Sequence, residues 1–131
     1  MSTQDPIVIV AAKRTPMGGF MGGLSAVSAT TLGATAIRGA MQAANLSNDQ
    51  VDEVIMGCVL PAGLKQAPAR QAALEADLDL STACTTINKV CGSGMKAAMQ
   101  AHDALLAGSI DVAIAGGMES MTNAPHLLPK G

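Results

Sequence analysis

Aromatic residues are almost absent from this 131-residue chain, which contains one Phe and neither Trp nor Tyr. Charged residues make up only 14% of the sequence, and the formal net charge is −2. A nucleic-acid-binding surface needs a basic patch and, for single strands, aromatic side chains on which bases stack. The composition therefore argues against a DNA or RNA partner.

Cysteine is scarce as well, with only Cys58, Cys84 and Cys91. Their odd number, the lack of a CxxC spacing and the lack of clustered histidines argue against a disulfide framework and against a metal site. The polar start, MSTQDP, does not resemble a secretory leader, and no apolar run approaches the length of a membrane span. We therefore expect a soluble, intracellular protein located in the cytoplasm, without a membrane partner.

Apolar residues, in contrast, make up 49% of the chain, enough for a packed interior in a single domain of this length. Apolar runs predict strands at 7–12, 51–60, 81–90 and 111–115, and helical spacing predicts helices at 28–45, 68–78 and 92–107. Strands and helices that alternate in this way (βαβαβαβ) predict an α/β fold, with a mainly parallel sheet and helices on both faces.

The stretch around Cys91, NKVCGSGMKA (88–97), is the most informative for function. It places the thiol at a predicted strand-to-helix turn, where the free amides and the positive end of the helix favour an anion. A cysteine at that place should ionise readily and act as a nucleophile, with Gly92 and Gly94 leaving room beside the sulfur. The alternative is that Cys91 is a small buried residue near a helix start.

Four segments of the chain resemble the thiolases, the enzymes that condense or cleave 3-ketoacyl-coenzyme A. They follow the family's order and spacing: AAKRTPMGGFMG (11–22), PARQAAL (68–74), NKVCGSGMKA (88–97) and AGGMESMTNAPH (115–126). The resemblance implies a thiolase-type domain in which Cys91 is the catalytic nucleophile that takes up the acyl group. It further implies an acyltransferase of fatty acid metabolism that acts on acyl-CoA substrates without a cofactor and assembles as a homo-oligomer, a dimer or a dimer of dimers.

The resemblance covers only the first part of a thiolase. The family's base histidine lies in a GGHP-like motif and its second cysteine in a CGGG-like motif, and neither motif occurs in this sequence. We therefore expect residues 1–131 to be an N-terminal thiolase domain that is incomplete at its C-terminal end and inactive alone. In thiolases the strand that matches 81–90 pairs across a two-fold dimer interface. The alternative is a structural fragment with no catalytic role.

A dinucleotide-binding turn is a different interpretation of the same stretch. Gly92-x-Gly94-x-x-Ala97 follows a predicted strand and opens a helix, and Glu119 lies near the place of a ribose-binding acid. Such a chain would belong to an oxidoreductase. Against this, the preceding strand ends in polar residues, whereas dinucleotide-binding sheets use an apolar run.

Cys84 and the two histidines are further candidates. The segment TACTT (82–86) looks like the nucleophile segment of ketoacyl synthases, but Cys84 falls in mid-strand, and we expect a core or interface thiol. His102 is more than two helical turns from Cys91, too far to take its proton, and should be a packing or rim residue. His126 matches the APH element of the thiolases, which implies a supporting place near the site.

A glycine-rich loop, 18–23, lies close to Lys13 and Arg14 and could in principle hold a phosphate. It lacks the Lys-Ser/Thr ending of a phosphate-binding P-loop. A tight irregular turn is the better interpretation.

Overall fold

The computed structural model describes residues 6–130. Three helices and three strands alternate along the chain: α1 (Ala29–Ala44), β1 (Glu53–Gly57), α2 (Pro68–Glu75), β2 (Ala83–Ile87), α3 (Ser93–Leu106) and β3 (Ala113–Gly117). A short 3₁₀ turn, Met121–Asn123, follows β3. All three predicted helices are present. The strands predicted at 51–60 and 81–90 are confirmed with shorter bounds, and the strand predicted at 111–115 is found two residues later.

The three strands form a parallel sheet in the order β2-β1-β3, with Glu53 of β1 opposite Ala83 and Ala113. Val54 and Met56 of β1 pack in one buried cluster with α1 and α2, whereas Ile55 packs against α3 on the other face. The α/β fold with helices on both faces of a parallel sheet is therefore confirmed.

The first predicted strand, 7–12, is wrong: these residues form no strand, and Ile9 is 89% exposed. A groove of about 710 Å³ separates residues 7–15 from the free edge of β3, with parts of α1 and α3 along its sides. A strand requires a partner for its backbone hydrogen bonds. The groove keeps β3 out of reach, so the apolar run has no strand to pair with.

The buried face of α3 is not the one that carries its large apolar residues. Met95, Met99 and Leu106 are 74%, 54% and 58% exposed, whereas the buried positions are Ser93, Ala97 and Ala101. A helix that lies very close to a sheet can place only small side chains in the contact. The large apolar residues are therefore displaced to the outer surface of α3.

Gly57, the last residue of β1, sets this close approach. A Cβ built at Gly57 would lie 2.6 Å from the carbonyl carbon of Ser93 and 2.7 Å from the amide nitrogen of Gly94. The atoms it would meet belong to the backbone, so neither can move aside easily. The first turn of α3 therefore rests directly on the end of β1.

We expect Gly57→Ala to lower the free energy of unfolding by about 1–3 kcal/mol, because the added methyl group overpacks the contact between β1 and α3. Urea denaturation followed by circular dichroism measures the change. Gly23→Ala is the matched control, since a Cβ at Gly23 has nothing within 4 Å. Equal losses in the two variants would contradict the steric argument.

Candidate active site

Cys91 lies in the turn that connects β2 to α3. The strand ends at Ile87 and the helix begins at Ser93, with Gly92 as the N-terminal cap, so the thiol stands just before the first helical turn. The Cys91 side chain is exposed. Its backbone forms an isolated bridge with Lys89. The exposed thiol can therefore face another molecule.

Ser93 fixes the turn from inside. Its side chain is buried, and its Oγ accepts a hydrogen bond from the Lys89 amide at 2.8 Å and donates to the Val90 carbonyl oxygen at 2.6 Å. The Ser93 amide donates to the same carbonyl oxygen at 3.1 Å. One small polar residue thus joins both sides of the turn that carries Cys91.

Val90, directly before Cys91, has a left-handed backbone with φ of 49°. For a β-branched residue this conformation is a genuine outlier, and it costs about 1–2 kcal/mol. The amide of Val90 donates to Oδ1 of Asn88 at 2.9 Å, which helps to hold the conformation. Strain of this kind is often found next to reacting groups.

The polar residues around this turn come from the carboxyl ends of all three strands. Beyond β2, Nδ2 of Asn88 donates to the Val59 carbonyl oxygen, just beyond β1, at 3.2 Å. Beyond β3, the carboxylate of Glu119 accepts hydrogen bonds from the amides of Val59 at 2.8 Å and Leu60 at 3.0 Å. In open parallel sheets ligands bind at this edge.

Sequence reasoning gave no role in the Cys91 turn to Asn88, Ser93 or Glu119. A usable signal did exist, because each is a polar residue that follows a parallel strand or opens the helix after it. The Glu119 carboxylate is committed to backbone amides. That arrangement disfavours the ribose-binding acid of the dinucleotide interpretation.

The three thiols differ in exposure. Cys58 is buried, and its Sγ lies 3.7 Å from Oε1 of Glu119. Burial, and then the nearby carboxylate, raise the pKa of Cys58 to about 11. Cys84 is half-buried in β2, and burial raises its pKa as well. Of the three, only Cys91 is exposed.

The remaining candidates lie outside the turn. His102 is half-buried on α3 beside the groove, with its Nδ1 3.5 Å from a carboxylate oxygen of Asp103. His126 is exposed in the irregular segment after Asn123. The glycine-rich loop forms successive tight turns, and the Met21 amide donates to Oγ1 of Thr122 at 2.9 Å.

The groove described above is not a pocket for Cys91, because Cys91 is not among the residues that line it. Within residues 6–130, no three His, Cys, Asp or Glu side chains are grouped to hold a metal ion.

In limited alkylation with iodoacetamide at neutral pH, we expect Cys91 to react fastest and Cys58 slowest. Cys91 is exposed, whereas Cys58 is 1% exposed and, with a pKa of about 11, remains a neutral thiol. Peptide mapping over a time course measures the three rates. The Cys91→Ser variant should lose the fast phase and keep the slow ones. Faster labelling of Cys58 or Cys84 would contradict the assignment.

Comparisons with known proteins place this geometry in a family. The model of the thiolase N-terminal domain matches residues 7–131. The mitochondrial acetyl-CoA acetyltransferases of Homo sapiens and Bos taurus are each 54% identical over 129 residues, which is 98% of this chain and 30% and 31% of theirs. The crystal structure of Acat5 thiolase from Ascaris suum in complex with coenzyme A matches with a TM-score of 0.92 and 40% identity, over 94% of this chain and 32% of that one.

These names also correct the expected location. The cytoplasmic prediction is wrong on this evidence, because the relatives are named mitochondrial proteins. The polar start of the sequence could not decide the matter, since the chain spans only about 30% of the relatives' length. None of the helices described between residues 6 and 130 has both the length and the apolar character that crossing a bilayer requires.

The family model covers nearly the whole chain, and more than half of the residues are identical to those of the first-named relatives. The thiolase resemblance drawn from four short segments is therefore confirmed. The chain belongs to the thiolase family and matches the N-terminal part of its members.

Proposed function

We propose that Cys91 is the acyl-accepting nucleophile of a thiolase, an acyltransferase that condenses two acyl-CoA molecules or cleaves 3-ketoacyl-CoA by thiolysis. The observation that carries the proposal is the exposed thiol at the start of α3, within the motif VCGSG of a chain that belongs to this family. The relatives are named acetyl-CoA acetyltransferases, which supports an acetyl-CoA substrate. A place in fatty acid metabolism is part of the same proposal.

The first step is an exchange of thioesters. The ionised sulfur of Cys91 attacks the carbonyl carbon of an acyl-CoA, and a new carbon–sulfur bond forms. The bond from that carbon to the sulfur of coenzyme A then breaks, and coenzyme A leaves with the proton that Cys91 has released. The amide of Cys91, at the start of α3, is the proposed donor to the oxyanion during this step.

The second step needs groups beyond those around Cys91. A base must remove a proton from the α-carbon of a second acyl-CoA, and donors must stabilise the enolate oxygen. The enolate then attacks the acyl carbon, and the bond to the sulfur of Cys91 breaks. The GGHP-like and CGGG-like motifs that supply the base histidine and second cysteine in thiolases do not occur in this sequence.

The domain formed by residues 1–131 is, in this proposal, an incomplete N-terminal thiolase domain. Its support is the apolar groove between residues 7–15 and β3, together with the exposed side chains of Val8, Ile9 and Val10. Such a surface favours a covering partner, since contiguous exposed apolar patches are uncommon on isolated domains. In the whole protein, further chain would cover this groove and complete the acyl-CoA site.

We expect the 131-residue chain to take up an acetyl group from acetyl-CoA slowly on Cys91, without turning over acetoacetyl-CoA. The thiol is exposed, but the base for carbon–carbon chemistry is absent. Intact-mass and peptide mapping measure the acetyl group, and a thiolysis assay measures turnover. Cys91→Ser should abolish the acetylation, and Cys84→Ser should leave it unchanged. Thiolysis by the pure, mass-verified chain would contradict the proposal.

We further propose that the protein is a homo-oligomer that pairs through β2. Among the described residues, β2 pairs only with β1, so its other edge offers free backbone donors and acceptors. A two-fold contact uses the same patch on both partners, and the chain therefore carries both halves of such a contact.

Light scattering should show a dimer or larger assembly for the 131-residue chain. Cys84→Pro should shift the assembly towards monomer. Ala83 and Ile87 bond to the β1 side, so the amide of Cys84 faces the free edge of β2, and proline removes that donor. The control Leu127→Pro lies in the exposed irregular segment after β3, and circular dichroism must show that both variants remain folded. A monomer for the unmodified chain at high concentration would contradict the interface.

A further inference from the structure

The carboxylate of Glu119 has no role in the acyl-transfer steps described above, yet it lies at the same edge of the sheet as Cys91. Its two oxygens accept hydrogen bonds from two successive amides, those of Val59 and Leu60, at 2.8 and 3.0 Å. Hydrogen bonds to an ionised acceptor are about twice as strong as those between neutral groups. Glu119 therefore fixes the backbone that leaves the central strand β1.

That backbone in turn holds Asn88. The carbonyl oxygen of Val59 accepts a hydrogen bond from Nδ2 of Asn88 at 3.2 Å, while Oδ1 of the same side chain accepts from the Val90 amide at 2.9 Å. An asparagine is needed for both contacts, because it carries a donor and an acceptor on one planar group. Asn88 thereby connects the end of β1 to the residue directly before Cys91.

Val90 is the residue on which these contacts converge. Its left-handed conformation, with φ of 49°, is unfavourable for a β-branched side chain and persists only where its surroundings hold it. A relaxed Val90 would turn the following peptide, and the thiol of Cys91 would move away from the start of α3. The contacts from Glu119 through Val59 and Asn88 oppose this relaxation.

We propose that Glu119 is a positioning residue for Cys91, acting through Val59, Asn88 and the left-handed Val90. The inference rests on the proposed role of Cys91 as the acyl-accepting nucleophile. Glu119 does not touch the acyl group. It determines where the sulfur stands relative to the amides of the helix start, and so how well the sulfur is placed to attack.

The test compares variants of the 131-residue chain by two reactions of Cys91, alkylation by iodoacetamide and acetylation by acetyl-CoA. Glu119→Gln replaces one carboxylate oxygen by an amide group that cannot accept the second backbone hydrogen bond. Asn88→Asp keeps the acceptor for Val90 but loses the donor to Val59. Each should slow both reactions about ten-fold or more, because small displacements of a reacting group are costly.

Three further measurements separate positioning from general loss of stability. Weakening of the whole fold would speed the labelling of buried Cys58, whereas displacement of Cys91 slows Cys91 alone. The loss at Cys91 should persist at saturating acetyl-CoA, because displacement of the sulfur affects the chemical step rather than the binding of acetyl-CoA. Glu75→Gln changes an exposed carboxylate on α2 that accepts a hydrogen bond from Thr31 of α1, away from the path to Val90, and it should leave the Cys91 rates unchanged.

The most decisive test is whether a second substitution restores the reaction rate of Cys91. Glycine adopts the left-handed conformation without a steric penalty, so Val90→Gly in the Asn88→Asp background should restore most of the Cys91 rate. If Glu119→Gln fails to fold by circular dichroism, this pair of variants still decides the question.

Folded Glu119→Gln and Asn88→Asp chains whose Cys91 rates lie within about two-fold of the unmodified chain would overturn the inference. Failure of Val90→Gly to restore the Asn88→Asp rate would do the same. If the unmodified chain alkylates at Cys91 but takes no acetyl group, the proposed function fails. In that case the alkylation rates of the variants still decide the positioning role.

Discussion

The backbone contact between the end of β1 and the start of α3 is the constraint on which the rest of the site depends. Gly57 has no side chain, so the first turn of α3 can lie directly on the sheet. The contact fixes the height of the helix start above the strand ends, and with it the place of Cys91. It also explains why alanines, and not the large apolar residues of α3, face the sheet. The place of Cys91 is thus determined by small residues.

Much of the fold and the place of Cys91 could be predicted from the sequence, because strand and helix periodicity report which residues are buried. The parallel sheet and the exposed place of Cys91 at a strand-to-helix turn follow from local patterns. Local patterns are insufficient to predict two features of the fold. Residues 7–12 have the composition of a strand but no partner to pair with. The buried side of α3 depends on how close the helix lies to the sheet, and the spacing of apolar residues along the sequence does not report that distance.

The polar residues that hold the turn could be suspected from their places after the strands, but their hydrogen-bond partners could not be predicted. Asn88, Ser93 and Glu119 act through backbone groups of other residues, and such contacts depend on loop paths rather than on residue type. Burial then distinguishes the thiols. Cys58 is buried in an environment that keeps it neutral, whereas Cys91 is exposed. The same sheet thus provides an inert sulfur and an accessible one.

The register of the sheet has a consequence for how the protein folds. The residues of β1 lie twice as far along the chain from their partners in β3 as from those in β2. Closing the longer loop costs more entropy, so β1 and β2 should pair before β3 docks. Glu119 follows β3 directly and reaches the backbone beyond β1 only after that docking. The turn that carries Cys91 would then acquire its final conformation late, and a partly folded chain would hold the thiol in a looser arrangement.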